Sequence, residues 1–225
     1  NKEEYLTFIK HNLDHPEEIW NYSFSKQIDY FDRCFLITLF TFQRGINENI
    51  LNQAFESRLE YEKNFNNKEF DSEQFNNSVK SLLNGFIMSS IIDLDKNIKI
   101  CSLINPSLSD YILGYLNQNY EVKKALIMSI KFIEQLDFFN PDKSQIKLEK
   151  ELQEEIKNKI YEKKLISSDE YKEYKYDGLC LEVLIKYCRK VDVDDIFLAI
   201  LNKFNLDIIW WISHNLKNVF DNIKK

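Results

Sequence analysis

The sequence predicts a mainly α-helical protein, and three observations carry that reading. Apolar residues recur at three- and four-residue spacing through most of the chain, the period of one helix face. Glycine and proline are scarce, four and three in 225 residues, so the tight turns of a sheet-rich fold are in short supply. Hydrophobic residues make up 44% and charged residues 29%, a balance that sustains a folded core and excludes a disordered chain.

Taken in order, Tyr5, Phe8, Ile9 and Leu13 open the chain at helical spacing. Pro16-Glu17-Glu18-Ile19-Trp20 reads as a helix start, because proline suits the first helical position and acids suit the positive end of the helix dipole. Residues 29–43 form the next helix, apolar nearly all round through Phe31, Phe35, Leu36, Leu39, Phe40 and Phe42, and therefore expected at the centre, with Gly45 as its stop. Asn47 caps a third helix that carries Ile50, Leu51, Ala54, Phe55, Arg58 and Leu59. After the polar loop 64–71, residues 72–84 form a fourth helix with Phe75, Val79, Leu82 and Leu83 facing inward and Gly85 ending it. The period then changes. Residues 86–92 and 98–104 are rich in β-branched side chains and flank Asp93-Leu94-Asp95-Lys96-Asn97, a β-hairpin signal. Three helices followed by one hairpin is the order of a winged helix.

Helices return from Asn105-Pro106-Ser107, which opens one bearing Leu108, Tyr111, Ile112, Tyr115 and Leu116. Another is expected at 121–136, then a turn at Phe138-Phe139-Asn140-Pro141-Asp142. A long charged helix at 144–165 has Ile146, Leu148, Leu152, Ile156 and Ile160 as its apolar anchors. Helices near 179–189, 194–204 and 207–223 complete the chain. Short helices on short loops imply antiparallel hairpins stacked side by side, a solenoid-like arm.

The chemistry-bearing motifs are absent from the sequence. Gly45, Gly85, Gly114 and Gly178 are isolated, which excludes a P-loop and a dinucleotide fingerprint. His11 and His15 stand one helical turn apart without a third ligand, and His214 sits in an apolar helix, so no metal site is expected. The four cysteines, Cys34, Cys101, Cys180 and Cys188, form no CxxC pair and lie in apolar runs, as buried thiols of a reducing, cytoplasmic protein would. Glu149-Lys150-Glu151 and Glu154-Glu155 alternate with lysine at helical spacing and read as a water-facing helix, not a catalytic carboxylate pair. No apolar run approaches the length of a membrane span. No catalytic residue is assigned.

Net charge is −6 and the pI is near 5.3, which disfavours a nucleic-acid partner. The helix before the hairpin offers Glu73, Gln74, Asn76, Asn77, Lys80, Ser81 and Asn84, with a single lysine for phosphate, and the hairpin tip is net acidic. A winged helix that faces protein is therefore expected. The alternative is a DNA-binding winged-helix regulator. Downstream, Tyr171, Tyr174 and Tyr176 stand among charges, and Trp210 and Trp211 are adjacent on a helix. These five are the expected partner anchors, because aromatic rings with a polar tip favour interfaces.

The run Leu103-Ile104-Asn105-Pro106-Ser107-Leu108-Ser109-Asp110-Tyr111-Ile112-Leu113 resembles the end of the winged-helix domain of STAND NTPases, in which a strand leads into a helix with a pattern like F-x-H-x-S-F-x-E-Y-L. The segment from Ile19-Trp20 to Phe40 is similar to the part that leaves the NTPase lid in prokaryotic, defence-type members. The resemblance covers residues 17–116. It implies three parts: 1–20, the tail of an upstream NTPase lid; 21–117, the winged helix; and 118–225, the helical arm. The chain opens on Asn1, and is expected to be a segment of a longer bacterial protein. The resemblance also implies a non-catalytic role coupling ligand sensing to nucleotide state in antiviral or stress defence. The expected partners are the chain's own NTPase domain, further copies of the full-length chain and a protein trigger. ATP or ADP and Mg would belong to the parent chain, with a nuclease among its possible effectors. Family members often carry His where Asn105 stands, and in some of them that His touches nucleotide; Asn105 would be a neutral contact or simply a helix cap.

Overall fold

The computed structural model describes residues 4–7, 10, 20–94, 98–140, 145–162 and 165–166. The chain divides into two compact units, Asn1–Val122 and Lys123–Lys225. The described residues are mostly helical, with one small three-stranded antiparallel sheet.

In the first unit, helical residues 20–22 pass into a five-residue π-helix, Ser23–Gln27, whose Phe24 is fully buried against Tyr111 and Tyr115. Helix α1 (Tyr30–Phe40) follows, with the Asp29 side chain accepting the Asp32 amide at 2.7 Å as its N-cap. Every residue from Cys34 to Phe40 is buried, as an all-round apolar helix requires. The two threonines at its end keep their buried hydroxyls satisfied on carbonyls of their own helix, Thr38 on Cys34 and Thr41 on Thr38. Around α1 pack α2 (Glu48–Asn66), α3 (Gln74–Leu82), α4 (Pro106–Gln118) and the sheet. Phe35, Phe55 and Phe75 form the aromatic knot between α1, α2 and α3, with ring centroids 5.2–6.4 Å apart.

The expected glycine stops are corrected by the backbone. Residues in the left-handed region end the helices instead: Gln43 after α1, Asn67 after α2 and Asn84 after α3. Neither Gly45 nor Gly85 has positive φ. Gly45 has a different job: a Cβ there would stand 2.6 Å from Ile100 Cγ2. Only glycine lets the chain approach the sheet this closely, and Ile46–Asn47 then pairs as a short strand β1. The sheet is thus a hairpin, β2 (Ile87–Asp93) and β3 (Ile98–Leu103), plus this third strand, in the order β1-β3-β2. Register runs from Ile87 opposite Leu103 to Ile91 opposite Lys99, and Ile92 is the extra residue of a bulge before Asp93 opposite Ile98.

The second unit begins within α5 (Tyr120–Ser129). The expected helix 121–136 is corrected here: α5 ends at Ser129, and Ile133–Phe139 is a separate 3-10 helix. Between them, Phe132 bridges Ile166, with the Ile133 amide donating to the Ile166 carbonyl and the Ile166 amide to the Lys131 carbonyl, and the Gln135 carboxamide accepts the amides of Lys131 and Phe132. The charged helix is likewise shorter than expected, α6 running Lys150–Tyr161. Its Leu152, Ile156 and Ile160, with Ile146 before it, are buried in a core shared with Leu126, Ile127, Ile133, Leu136, Phe138 and Phe139. Lys123, nearly fully buried, is held by the Lys147 carbonyl at 2.8 Å and Glu149 at 2.7 Å. That hydrogen bond holds the Glu149 carboxyl below its usual range although burial acts in the opposite direction.

Candidate functional site

Two surfaces of the first unit are candidates: the face formed by α3 and the β2–β3 hairpin, and the junction at the start of α4. On α3 the structure withdraws residues that a DNA reader would need. Gln74 is buried and donates to Ser78, at 3.4 Å, and Ser81 donates to the buried Asp32 carboxylate at 2.7 Å. Gln74 is therefore a core residue, not a surface polar group. Leu83, expected inside, is 41% exposed. What remains outward is Glu73, Asn76, Asn77, Lys80, Ser81 and Asn84, with Asn76 already bonded to Glu73 and Ser81 to Asp32.

The hairpin exposes apolar side chains as well as Ser89 and Ser90. Met88, Ile91, Ile92 and Leu94 are all exposed, Ile92 at 64% and Leu94 at 84%. Single exposed apolar residues are ordinary, but four in seven positions on one strand and its turn form a patch. Helix-core reasoning missed this patch, although a signal was present: Ile91 and Ile92 are consecutive, and neighbours on a strand cannot both face one core.

At the α4 junction, Asn105 caps the helix by accepting the Ser107 amide at 2.7 Å and the Ser107 hydroxyl at 2.8 Å on one oxygen, Oδ1. The same hydroxyl oxygen accepts the Trp20 indole N–H at 2.8 Å, and the Trp20 ring lies 5.7 Å from Phe86. This relay fixes the Asn105 carboxamide, with its NH2 group on the side away from the cap. Tyr111 adds a second tie one turn later, donating to Asn21 at 3.2 Å. Burial raises the Tyr111 hydroxyl above its usual range. The 87-residue separation of Trp20 and Ser107 leaves no sequence signal for the contact.

The densest titratable cluster is Tyr30, Cys34, Arg58 and Glu62. Glu62 receives Arg58 Nε at 2.8 Å, Tyr30 at 2.6 Å and Asn66 at 2.6 Å. Burial works against the Arg58 charge, but the Cys34 sulfur and the Glu62 carboxylate hold the guanidinium above its usual range. Burial pushes both free thiols up, Cys101 to about 12. Arg58 and Glu62 are sealed in the core, so the cluster is built around an internal ion pair, with Tyr30 part-buried beside it. Cys180, Cys188 and the partner candidates Tyr171, Tyr174, Tyr176, Trp210 and Trp211 lie outside the described residues.

Among the described residues, no group of three or more His, Cys, Asp or Glu could hold a metal ion, and no helix is long and apolar enough to cross a membrane. No family model matches the chain, and neither a curated protein nor a solved structure is found similar to it.

Proposed function

We propose that residues 21–117 form a winged helix that meets protein, not duplex DNA, and that the chain is the non-catalytic regulatory part of a prokaryotic, defence-type STAND NTPase. The element order α1-β1-α2-α3-β2-β3, with strands ordered β1-β3-β2, supports the winged-helix reading. The strand leading directly into the Asn105-capped helix supports the family reading. The observation that carries the partner class is the α3–hairpin face, which among the described residues offers two lysines, Lys80 on α3 and Lys99 on β3, the latter 3.8 Å from Glu48, beside four exposed apolar side chains. Phosphate contacts supply most of a DNA binder's affinity, and the described part of this face has few cations with which to make them.

In this reading the face packs on the parent's nucleotide domain at rest, and capture of a trigger by the arm from residue 118 onward releases it for oligomerisation. Such a switch works only through different affinity of the trigger for the two states. Asn105, its amide pre-set by Ser107 and Trp20, would offer a neutral donor to the ADP or ATP of the parent domain.

Fluorescence anisotropy with labelled duplex DNA tests the partner class. The expected result is non-specific binding in the range of about 10⁻⁴–10⁻⁶ M that vanishes with added salt. Sub-micromolar, sequence-dependent binding would instead establish the DNA-binding regulator. Calorimetry with Mg-ATP should register no heat with this chain, and micromolar binding would refute the assignment of the nucleotide site to another domain.

A further inference from the structure

We propose that β2 is a self-pairing edge, through which two copies of this chain join antiparallel about a two-fold axis at Ser90. The inference rests on the protein-facing reading of this surface and names the partner. Among the described residues no strand lies on the outer side of β2, since the sheet order is β1-β3-β2. Its hydrogen-bond phase follows from two contacts. Ile104 N donates to Phe86 O, so the pair 86–104 is a hydrogen-bonded one, and alternation makes Met88–Ser102 and Ser90–Ile100 hydrogen-bonded as well. The main-chain groups of Ile87, Ser89 and Ile91 must then point away from β3. Asn84 N donating to Ile87 O at 3.0 Å, from the outer side, agrees with this phase and closes that end of the edge. Ser89 and Ile91 are left as the open positions.

A second copy centred on Ser90 places Ser89 opposite Ile91 twice. All four open N–H groups and all four open C=O groups of the two copies can then pair, which no other centre on this strand achieves. The charges permit it. Met88 to Ile92 carry none, and Asp93 falls opposite Ile87 of the other copy, so the two acids lie at opposite ends, roughly 20 Å apart. The usual protections of a free edge, lysine or proline along it, are missing between Ile87 and Ile92. The contact is short of the ~800 Å² per partner of a standard stable interface. It is therefore a weak pairing that becomes decisive when other parts of the assembly raise the local concentration.

Sedimentation of the 225-residue chain over a concentration series reads the pairing, and cross-linking reads the register. In a Cys101→Ala, Cys180→Ser, Cys188→Ser background, which removes the thiol opposite Ser89 on β3, Ser90→Cys should oxidise to a covalent dimer, because Ser90 faces its own mate in a non-hydrogen-bonded pair with Cα atoms ~4.5 Å apart. Ser89→Cys should not, since its mate is a diagonal ~7–8 Å away. Ile91→Pro removes an outward N–H without touching the β3 ladder, and Ile91→Lys places a charge on the edge; each should leave a monomer at every concentration. A chain monomeric at several hundred micromolar without a Ser90→Cys dimer overturns the proposal. So does a dimer that persists in both Ile91 variants, or equal cross-linking at Ser89 and Ser90. If the chain stays monomeric and binds no DNA, the edge belongs to a strand of another protein, and the protein-facing reading survives alone.

Discussion

Two ion pairs at helical spacing, one on α2 and one on α6, look alike in the sequence and differ in the molecule. Arg58 and Glu62 are 3% and 0% exposed, with Nη2 2.7 Å from Oε1. Glu154 and Lys157 stand 2.5 Å apart, with Glu154 61% exposed and the Lys157 side chain only 11%. Solvent reaches the carboxylate of the second pair and neither member of the first, so the same chemistry has different consequences for stability. The difference comes from the stripe each residue occupies. Arg58 and Glu62 lie on the buried face of α2 with Leu51, Phe55 and Leu59, while Glu154 lies opposite the buried face of α6.

The comparison can be broken most sharply at Glu62. Glu62→Gln should lower unfolding free energy by about 3–5 kcal/mol, because it strands a buried guanidinium. The double change Arg58→Met, Glu62→Leu should recover most of that loss in urea titrations. A single-variant effect under 1 kcal/mol would mean that water reaches the pair. Raising the pH tests the same core through its thiols. The Cys101 pKa is raised to about 12 from 9.0, so the folded state prefers the neutral form. Its contribution is fully present below pH 9 and is lost as pH rises toward 12, amounting to about 2 kcal/mol by pH 10.5. Tyr30 and Cys34 shift in the same direction. Denaturation midpoints should therefore fall steeply above pH 9, and less steeply in Cys101→Ala; parallel profiles for the two proteins would contradict the assignment.

Away from charge, Gly45→Ala should cost about 1–3 kcal/mol, as overpacking against Ile100 does. Ile100→Ala in the same chain should relieve part of it, a coupling that thermal melts of the cycle would detect. Asn105→Ala should cost about 1 kcal/mol, the value of a helix N-cap, and Asn105→Ser much less. At the bottom of the scale, Glu154→Gln should change stability by less than about 1 kcal/mol, and that small effect should disappear in high salt.

The burial of α1 was legible because an apolar helix without a polar face has only the centre to occupy, and Cys34 to Phe40 meet that expectation. Asn47 and Asn105 were legible as caps for a local reason: each bonds an amide two residues ahead. The third strand was not. Two residues have no period, and β1 exists because Gly45 lets it reach β3, fifty positions on. The helices expected to reach 43 and 84 end at Phe40 and Leu82, because Gln43 and Asn84 took the left-handed turns that glycines one or two positions on could have taken at lower cost. The break at Ser129 was hidden too, since Ile130, Phe132 and Ile133 continue an apolar run while Gln135 ties off the main chain. Of the candidate site, the weak cation content of α3 was readable, but the exposure of Met88 and Leu94 depends on where the helical layer stops, which only the packed structure defines.

The turn at Asn84-Gly85 has a chemical consequence of its own. Asparagine before glycine is the pair most prone to deamidate, the glycine nitrogen attacking the side-chain carbonyl to close a succinimide and expel ammonia. Here the Gly85 amide is engaged with the Leu82 carbonyl at 3.2 Å, and the Asn84 amide with Ile87. Folded, the nitrogen is held away from attack; each excursion to the unfolded chain frees it. Reopening of the ring leaves a carboxylate, often on an isoaspartyl backbone one atom longer, three residues ahead of β2. The change would sit in the turn that leads into the strand, and the molecule's time spent unfolded would be written permanently beside its own exposed edge.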